Sequence, residues 1–405
     1  MSKNEIITGI DLGSSKVCCL VTEITDSGNI DILGYGISPS SYLKKGNVVN
    51  IEGLTRSISD AVNQAEIMSN VKIEEVIVGL SLVNVDILRN KGVVAIPKST
   101  REITGQDVDR VIQAAKILAI SPDRDVVQVI PREFIVDGCE GINDPIGMIG
   151  TRLEVDSYIV TAPITVLQNI QRCFQRADLS IQSIILKPFA LKKILLSRDE
   201  IEMGVALIDV GATITEVTVF KGNDILKYAT IPIGGDYITN DIAVGLRLPF
   251  NLAEIIKRRY ACAQENLASE KQDIEIQSIG ESTTKKINQK ELASIVEPRV
   301  HEIISLIKKE LDFEDQKIKL AAGGVISGSG LLHIKGAIDL AQKILGIPLR
   351  GGKTEMYGYD QTFNVCLGLV NSVASQRHYE GRNIEKAKMG ISLIERAKRF
   401  LREYF

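Results

Sequence analysis

The feature that most restricts what this chain can fold into is a long-range repeat. Ile10-Asp11-Leu12-Gly13-Ser14-Ser15-Lys16-Val17-Cys18-Cys19-Leu20-Val21 is echoed by Ile208-Asp209-Val210-Gly211-Ala212-Thr213-Ile214-Thr215-Glu216-Val217-Thr218-Val219. Each reads as an apolar strand, a turn of small residues and a second strand. The echo continues downstream. Gly28-Asn29 leads into Asp31-Ile32-Leu33-Gly34-Tyr35, and Gly222-Asn223 into Asp224-Ile225-Leu226-Lys227-Tyr228. Asp11 and Asp209 stand 198 positions apart, Asp31 and Asp224 193, so the loop of the first hairpin is five residues longer. Chance easily supplies one D-x-G turn. A second turn with its downstream strand in step indicates a duplicated α/β chain.

Each copy continues into helical text. Apolar residues at Leu54, Ile58, Ala61, Ala65 and Met68 predict a helix over 54–68, with a strand over 76–80 after it. In the second copy, 237–244 and 252–262 read as helices, with Pro249 between them and Asn251 as N-cap. Two stretches break the symmetry. Residues 83–162 are strand-rich with one helix over 107–118, and 236–319 hold helices and a polar segment at 278–290. A third glycine cluster, Gly323-Gly324-Val325-Ile326-Ser327-Gly328-Ser329-Gly330, is read as following a strand over 318–322 and precedes a helix over 335–345.

Composition narrows the function. The 405 residues suit two to three domains, and 44% hydrophobic against 24% charged residues is an ordinary globular balance. A net charge of -3 and 5% aromatic residues, with no Trp, leave no basic field or stacking surface for nucleic acid. Six cysteines, at 18, 19, 139, 173, 262 and 366, make no C-x-x-C pair and read as reduced core residues of a cytosolic protein. No signal-peptide pattern and no run of 18 apolar residues is present, so any membrane contact is expected to be peripheral.

The turns carry the chemistry. Glycine after a strand-ending Asp lets backbone N–H groups approach a phosphate. Ser14 and Ser15 add hydroxyls and Lys16 a point charge. Asp11 and Asp209 cannot face phosphate directly, but they can face a hydrated Mg2+, which takes few protein ligands. Two opposed turns would clamp a nucleotide tail, and Gly323-Gly324 would be the third wall, against a flat adenosine. Taken singly, each turn is also consistent with an ordinary hairpin. Glu254 and Lys257 share a helix face, where spacing alone favours a surface ion pair.

The C-terminal run has another character. Over 391–405, Leu393, Ile394, Ala397, Phe400, Leu401 and Tyr404 form one stripe, opposite Arg396, Lys398, Arg399 and Arg402. That is the pattern of a helix lying in a lipid interface, though a terminal helix docked on its own domain would read similarly.

Almost the whole chain resembles the FtsA family of bacterial cell-division proteins, within the actin, hexokinase and heat-shock chaperone ATPase superfamily. The specific stretches are Gly46-Asn47-Val48-Val49-Asn50, Ala65-Glu66-Ile67-Met68, Val129-Ile130-Pro131-Arg132-Glu133-Phe134, Gly141-Ile142-Asn143-Asp144-Pro145-Ile146-Gly147-Met148 and Ile295-Val296-Glu297-Pro298-Arg299. The resemblance implies an actin-like duplicated fold. Residues 1–82 and 163–195 would form its first core subdomain, and 83–162 an inserted FtsA-type subdomain. Residues 196–235 and 320–376 would form the second core subdomain, and 236–319 its companion. A tether over 377–390, spanning roughly 45–50 Å if extended, would lead to an amphipathic membrane helix over 391–405.

ATP and Mg2+ are the implied ligands. Asp11, Gly13, Ser14, Ser15, Lys16, Asp209, Gly211, Ala212, Thr213, Gly235, Glu254, Lys257, Gly323, Gly324 and Val325 would hold the nucleotide. For Glu254 and Lys257 the family's helix-borne E-x-x-K reverses the reading from spacing. The implied partners are a second copy of the chain in a head-to-tail polymer, membrane lipid, and the acidic C-terminal tail of FtsZ through Arg299. Other division proteins would bind through 83–162. The implied place is the cytoplasmic face of the membrane at the division site. The sequence also departs from the superfamily. Its second turn has fewer glycines than D-x-G-G-G-T, and Lys187-Pro188 stands where hydrolases often carry Glu-Pro. Lysine cannot orient an attacking water, so hydrolysis is expected to be weak at most. A pilus-assembly actin homologue and a small-molecule kinase of the same fold are the rival readings.

Overall fold

The computed structural model describes residues 5–25, 29–97, 101–117, 120–277, 279, 284–312, 320–353 and 361–374. The tether and the amphipathic run over 391–405 lie outside the described residues, as does part of the polar segment 278–290.

Two five-stranded sheets follow one plan. In the first half, Glu5–Leu12 runs antiparallel to Lys16–Ile24, which pairs in turn with Ile30–Pro39. On its other side Glu5–Leu12 runs parallel to Glu75–Leu80, and that strand to Ser180–Leu186. In the second half, Val205–Val210 takes the same place between Thr215–Lys221, with Asp224–Ile231 beyond it, and the parallel pair Gly324–Ser327 and Leu349–Gly351. The registers repeat too. Asp11 pairs with Cys18 and Gly79, and Asp209 with Glu216 and Ser327. Both central strands are buried along nearly their whole length, so apart from Thr8 and the equivalent Asp11 and Asp209 they read as near-continuous apolar runs without alternation.

Helices cover the sheet faces. Ile51–Ser69 starts where the Asn50 side chain accepts from the Gly53 N–H and stops at Asn70, in the left-handed region. It buries Leu54, Ile58, Ala61 and Ala65, whereas Met68, expected on the same stripe, faces solvent in the last turn. In the second half Gly235–Leu246, Phe250–Tyr260 and Gln289–Leu311 share one core through Ile242, Ile256, Val296 and Ile303. Pro249 occupies the N-cap of Phe250–Tyr260, and Asn251 lies inside the helix, because a fixed proline φ suits the entry to the first turn.

The insert carries its own four-stranded sheet of Asp86–Ala95, Arg152–Pro163, Arg124–Val136 and Cys139–Ile142. Helix Gly105–Ala115 lies on one face, starting two residues earlier than expected because Thr104 and Asp107 form a reciprocal cap. Ile103, Val111, Phe134, Leu153 and Val155 make a separate small core. The insert also reaches the second half. Tyr158 donates to Asp224 at 3.0 Å, and the Arg132 guanidinium pairs with the same carboxylate. Five cysteines are buried thiols. Cys139, expected in a core, is exposed, because it opens a short edge strand after the left-handed Asp137-Gly138 turn.

Candidate functional site

The two turns meet at a cleft between the halves. Each has the same backbone closure. Gly13 N–H donates to Lys16 O at 3.1 Å, and Gly211 N–H to Ile214 O at 2.9 Å. Two adjoining cavities, of about 160 and 610 Å3, share Ser14, Ser15, Lys16, Ala212, Arg258 and Ser329. The smaller adds Asp11, Gly13, Asp209 and Gly211, and the larger adds Thr213, Gly235, Glu254 and Lys257. The structure thus brings together every expected nucleotide residue of both turns and of the Glu254 helix. A larger groove of about 1090 Å3, between the insert, strand Ser180–Leu186 and the second half, contains none of them.

Gly323, Gly324 and Val325 are a correction. The strand falls at Gly324–Ser327, later than expected, so these residues open the strand at the end away from the cleft. Parallel pairing with Val205–Val210 decides this, since it sets Ala206 beside Gly324 and Asp209 beside Ser327. The wall is Gly328-Ser329-Gly330 instead. Gly328 has φ +84, and a Cβ there would lie 2.3 Å from Val210 O. Gly330 donates its N–H to Val210 O at 2.8 Å, locking this turn to the turn closed by Gly211.

The Glu254–Lys257 pair is built inward. Lys257 is 3% exposed, and its ammonium donates to Gly235 O at 3.0 Å and Thr239 Oγ1 at 2.8 Å. Burial pushes the Lys257 pKa down, and Glu254, 2.7 Å away, opposes this. The pair therefore anchors helix Gly235–Leu246, whose first amides donate to Gly211 O and Ala212 O at 2.9 Å. Glu254 keeps one edge on the larger cavity.

Several residues escaped the sequence reading. Arg258, one turn beyond Glu254, lines both cavities and pairs with Glu254 at 2.7 Å. Its signal was the i, i+4 spacing. Glu216 stands opposite Asp209, hydrogen-bonded to Ser81 and to Tyr228, and burial pushes it up to about 7. A buried carboxylate inside the repeated motif was its signal. Burial also raises the Asp209 carboxyl, against the field of Lys187. Lys187 itself turns into the cleft, 2.7 Å from Asp11.

Arg299 is engaged within the fold. The tail-binding role implied for it calls for an available cation. Its guanidinium instead pairs with Asp241 at 2.6 Å and with Glu302, above the Tyr237 ring. The helix Gln289–Leu311 sets Glu302 one turn away, and the neighbouring helix supplies Asp241.

Comparison with known proteins settles the family. The chain is 38% identical over 352 residues to the cell division protein FtsA of Pseudomonas aeruginosa, covering 87% of this chain and 84% of that one. It belongs to the FtsA family. FtsA of Bacillus subtilis is 36% identical, with 95% of this chain and 87% of that one covered. The family model "Cell division protein FtsA" matches residues 206–368, and "SHS2 domain inserted in FTSA" matches 83–161. Among solved structures, a PilM–PilN type IV pilus biogenesis complex aligns at TM-score 0.61 and 17% identity, covering 92% of this chain and 99% of that one. MreB5 of Spiroplasma citri bound to ADP aligns at 0.56 and 12%, covering 93% and 98%. These two establish the actin-like fold. The chain is an actin-like cell-division protein of the FtsA family.

Proposed function

We propose that this FtsA-family chain binds ATP in the cleft between its halves, polymerises head to tail, and ties FtsZ to the cytoplasmic face of the membrane at the division site. The observation that carries the reading is the pairing of two equivalent turns, closed by Gly13 and Gly211, across one cleft. ATP would lay its phosphates between the turns and its adenosine along Gly328-Ser329-Gly330, with the ribose toward Glu254. Lipid would be reached through Leu393, Ile394, Ala397, Phe400, Leu401 and Tyr404, with Arg396 and Lys398 toward anionic headgroups. Burying each large apolar side chain contributes about 1.5–3 kcal/mol, and each basic residue about 1 kcal/mol. One helix is thus a reversible anchor, and a polymer carrying many copies binds by avidity. Residues 83–162 would receive other division proteins. Among the described residues no helix is long and apolar enough to cross a membrane.

The test is direct. The full chain should bind ATP in titration calorimetry and co-sediment with anionic vesicles. A chain ending at residue 390 should keep the first property and lose the second. Vesicle binding retained by the shortened chain would place the anchor elsewhere, and unfolding would favour a helix docked on its own domain. The pilus-assembly reading has only fold-level likeness in its favour, at 17% identity.

A further inference from the structure

Lys187 is the first residue of helix Lys187–Leu195, which starts directly after strand Ser180–Leu186. Its ammonium points back into the cleft, 2.7 Å from Asp11 Oδ1, with the two side chains only 12% and 11% exposed. It also lies 3.8 Å from where a Cβ on Gly13 would stand, against the first phosphate turn. The first turn of a helix repels a cation, and this helix has no acidic residue there to offset that. The lysine is therefore held by the cleft carboxylates.

That arrangement conflicts with the Mg2+ expected on Asp11 and Asp209. A hydrated Mg2+ needs an octahedral shell between carboxylates and phosphates, and the ammonium already occupies the approach to Asp11. With the ammonium in place, a divalent ion does not fit at Asp11.

We propose that the Lys187 ammonium is the built-in cation of the nucleotide site, joining Asp11 to the phosphate chain so that ATP binds with little dependence on Mg2+. This rests on the ATP reading of the cleft. An ammonium carries three donors. The ion pair with Asp11 leaves donors for phosphate oxygens that enter beside Gly13. The cavity wall presents Asp11 and Asp209 to an incoming polyanion along with Lys16 and Arg258, and Lys187 is the cation set against Asp11 itself.

The test measures ATP binding to the full chain by titration calorimetry, in Mg2+ and in EDTA. The wild type should change by less than about threefold between the buffers. Lys187→Gln should lose about tenfold or more in EDTA and recover in Mg2+, once the ion can reach Asp11. Lys187→Arg, which keeps the charge, should behave as wild type. A wild type that binds about tenfold more weakly in EDTA overturns the inference, whether or not the variants fold, and leaves the ATP reading standing. Equal binding of Lys187→Gln and wild type in EDTA also overturns it. No ATP binding in either buffer overturns the cleft reading and this inference together.

Discussion

Ser14 Oγ and Thr213 Oγ1 lie 2.8 Å apart, so two turns separated by 199 residues touch across the cleft. Lys45 N–H also points at Thr213 Oγ1, at 3.4 Å. On the proposed ATP reading, phosphates entering between the turns would part this contact. A neutral hydroxyl pair contributes about 1 kcal/mol, and a hydrogen bond to an ionised phosphate oxygen is roughly twice as strong. The exchange favours the nucleotide. Thr213→Val and Ser14→Ala should each weaken ATP about tenfold in titration calorimetry. Without ATP, the double variant should cost little more stability than either single one, since both remove one contact. Unchanged affinity in both single variants would put the phosphates elsewhere.

The corrected glycine turn makes a second prediction by contrast. A Cβ on Gly330 would stand 2.7 Å from Val210 Cγ1 and 2.8 Å from Gly211 O, and backbone there cannot yield cheaply. Gly330→Ala should therefore push the adenosine wall off the phosphate turn, costing about 1–3 kcal/mol and weakening ATP by more than about tenfold. At Gly324 a Cβ would meet Leu349 Cδ2 at 2.8 Å, the movable end of a side chain. Gly324→Ala should cost about 1 kcal/mol and leave affinity alone. Urea titration read beside ATP binding separates the two, and a Gly324→Ala protein that folds normally but fails to bind would restore the sequence-based wall.

Register decides how much of the cleft is legible in the sequence. The two D-x-G turns are legible because each hairpin is local. Asp11 meets Cys18 and Asp209 meets Glu216, seven residues on in both copies, with Gly13 and Gly211 closing the turns alike. The third wall comes from a parallel strand. Gly323-Gly324 and Gly328-Ser329-Gly330 flank three buried residues, and only the pairing of Ser327 with Asp209 shows which end faces the cleft. Lys187 was legible as a departure from Glu-Pro, but not as the partner of Asp11, which is remote in sequence. The engagement of Arg299 was hidden for a related reason: Asp241, which pairs with it, belongs to another helix.

Arg299 can still be tested as an FtsZ contact. Arg299→Glu sets an acid beside Asp241 and Glu302, so it should lose about 1–2 kcal/mol of stability as well as affinity for an FtsZ tail peptide. Asp241→Asn should unpair the guanidinium without removing it. If Arg299 serves the tail, that variant should bind the peptide as well as wild type or better, read by fluorescence anisotropy. Weakened binding in Asp241→Asn would mean that the ion pair shapes the surface and the arginine does not touch the peptide.

Glu216 gives the cleft a pH signature. It is 1% exposed, and burial first, then the Asp209 charge, pushes it up to about 7 from 4.5, against hydrogen bonds from Ser81 and Tyr228. A raised folded pKa means that the folded state holds this proton more tightly. Its contribution is therefore fully present below pH 4.5 and is lost as pH rises through about 7. A shift of that size corresponds to about 3–4 kcal/mol in full, most of it lost between pH 5 and pH 8. Glu216→Gln keeps an acceptor for Ser81 and Tyr228 and does not titrate. The stability of the variant relative to wild type should therefore grow by about 2–3 kcal/mol between urea titrations at pH 5 and pH 8. Equal slopes for the two proteins would mean that Glu216 stays charged throughout, its burial offset by Lys187 across the same cleft.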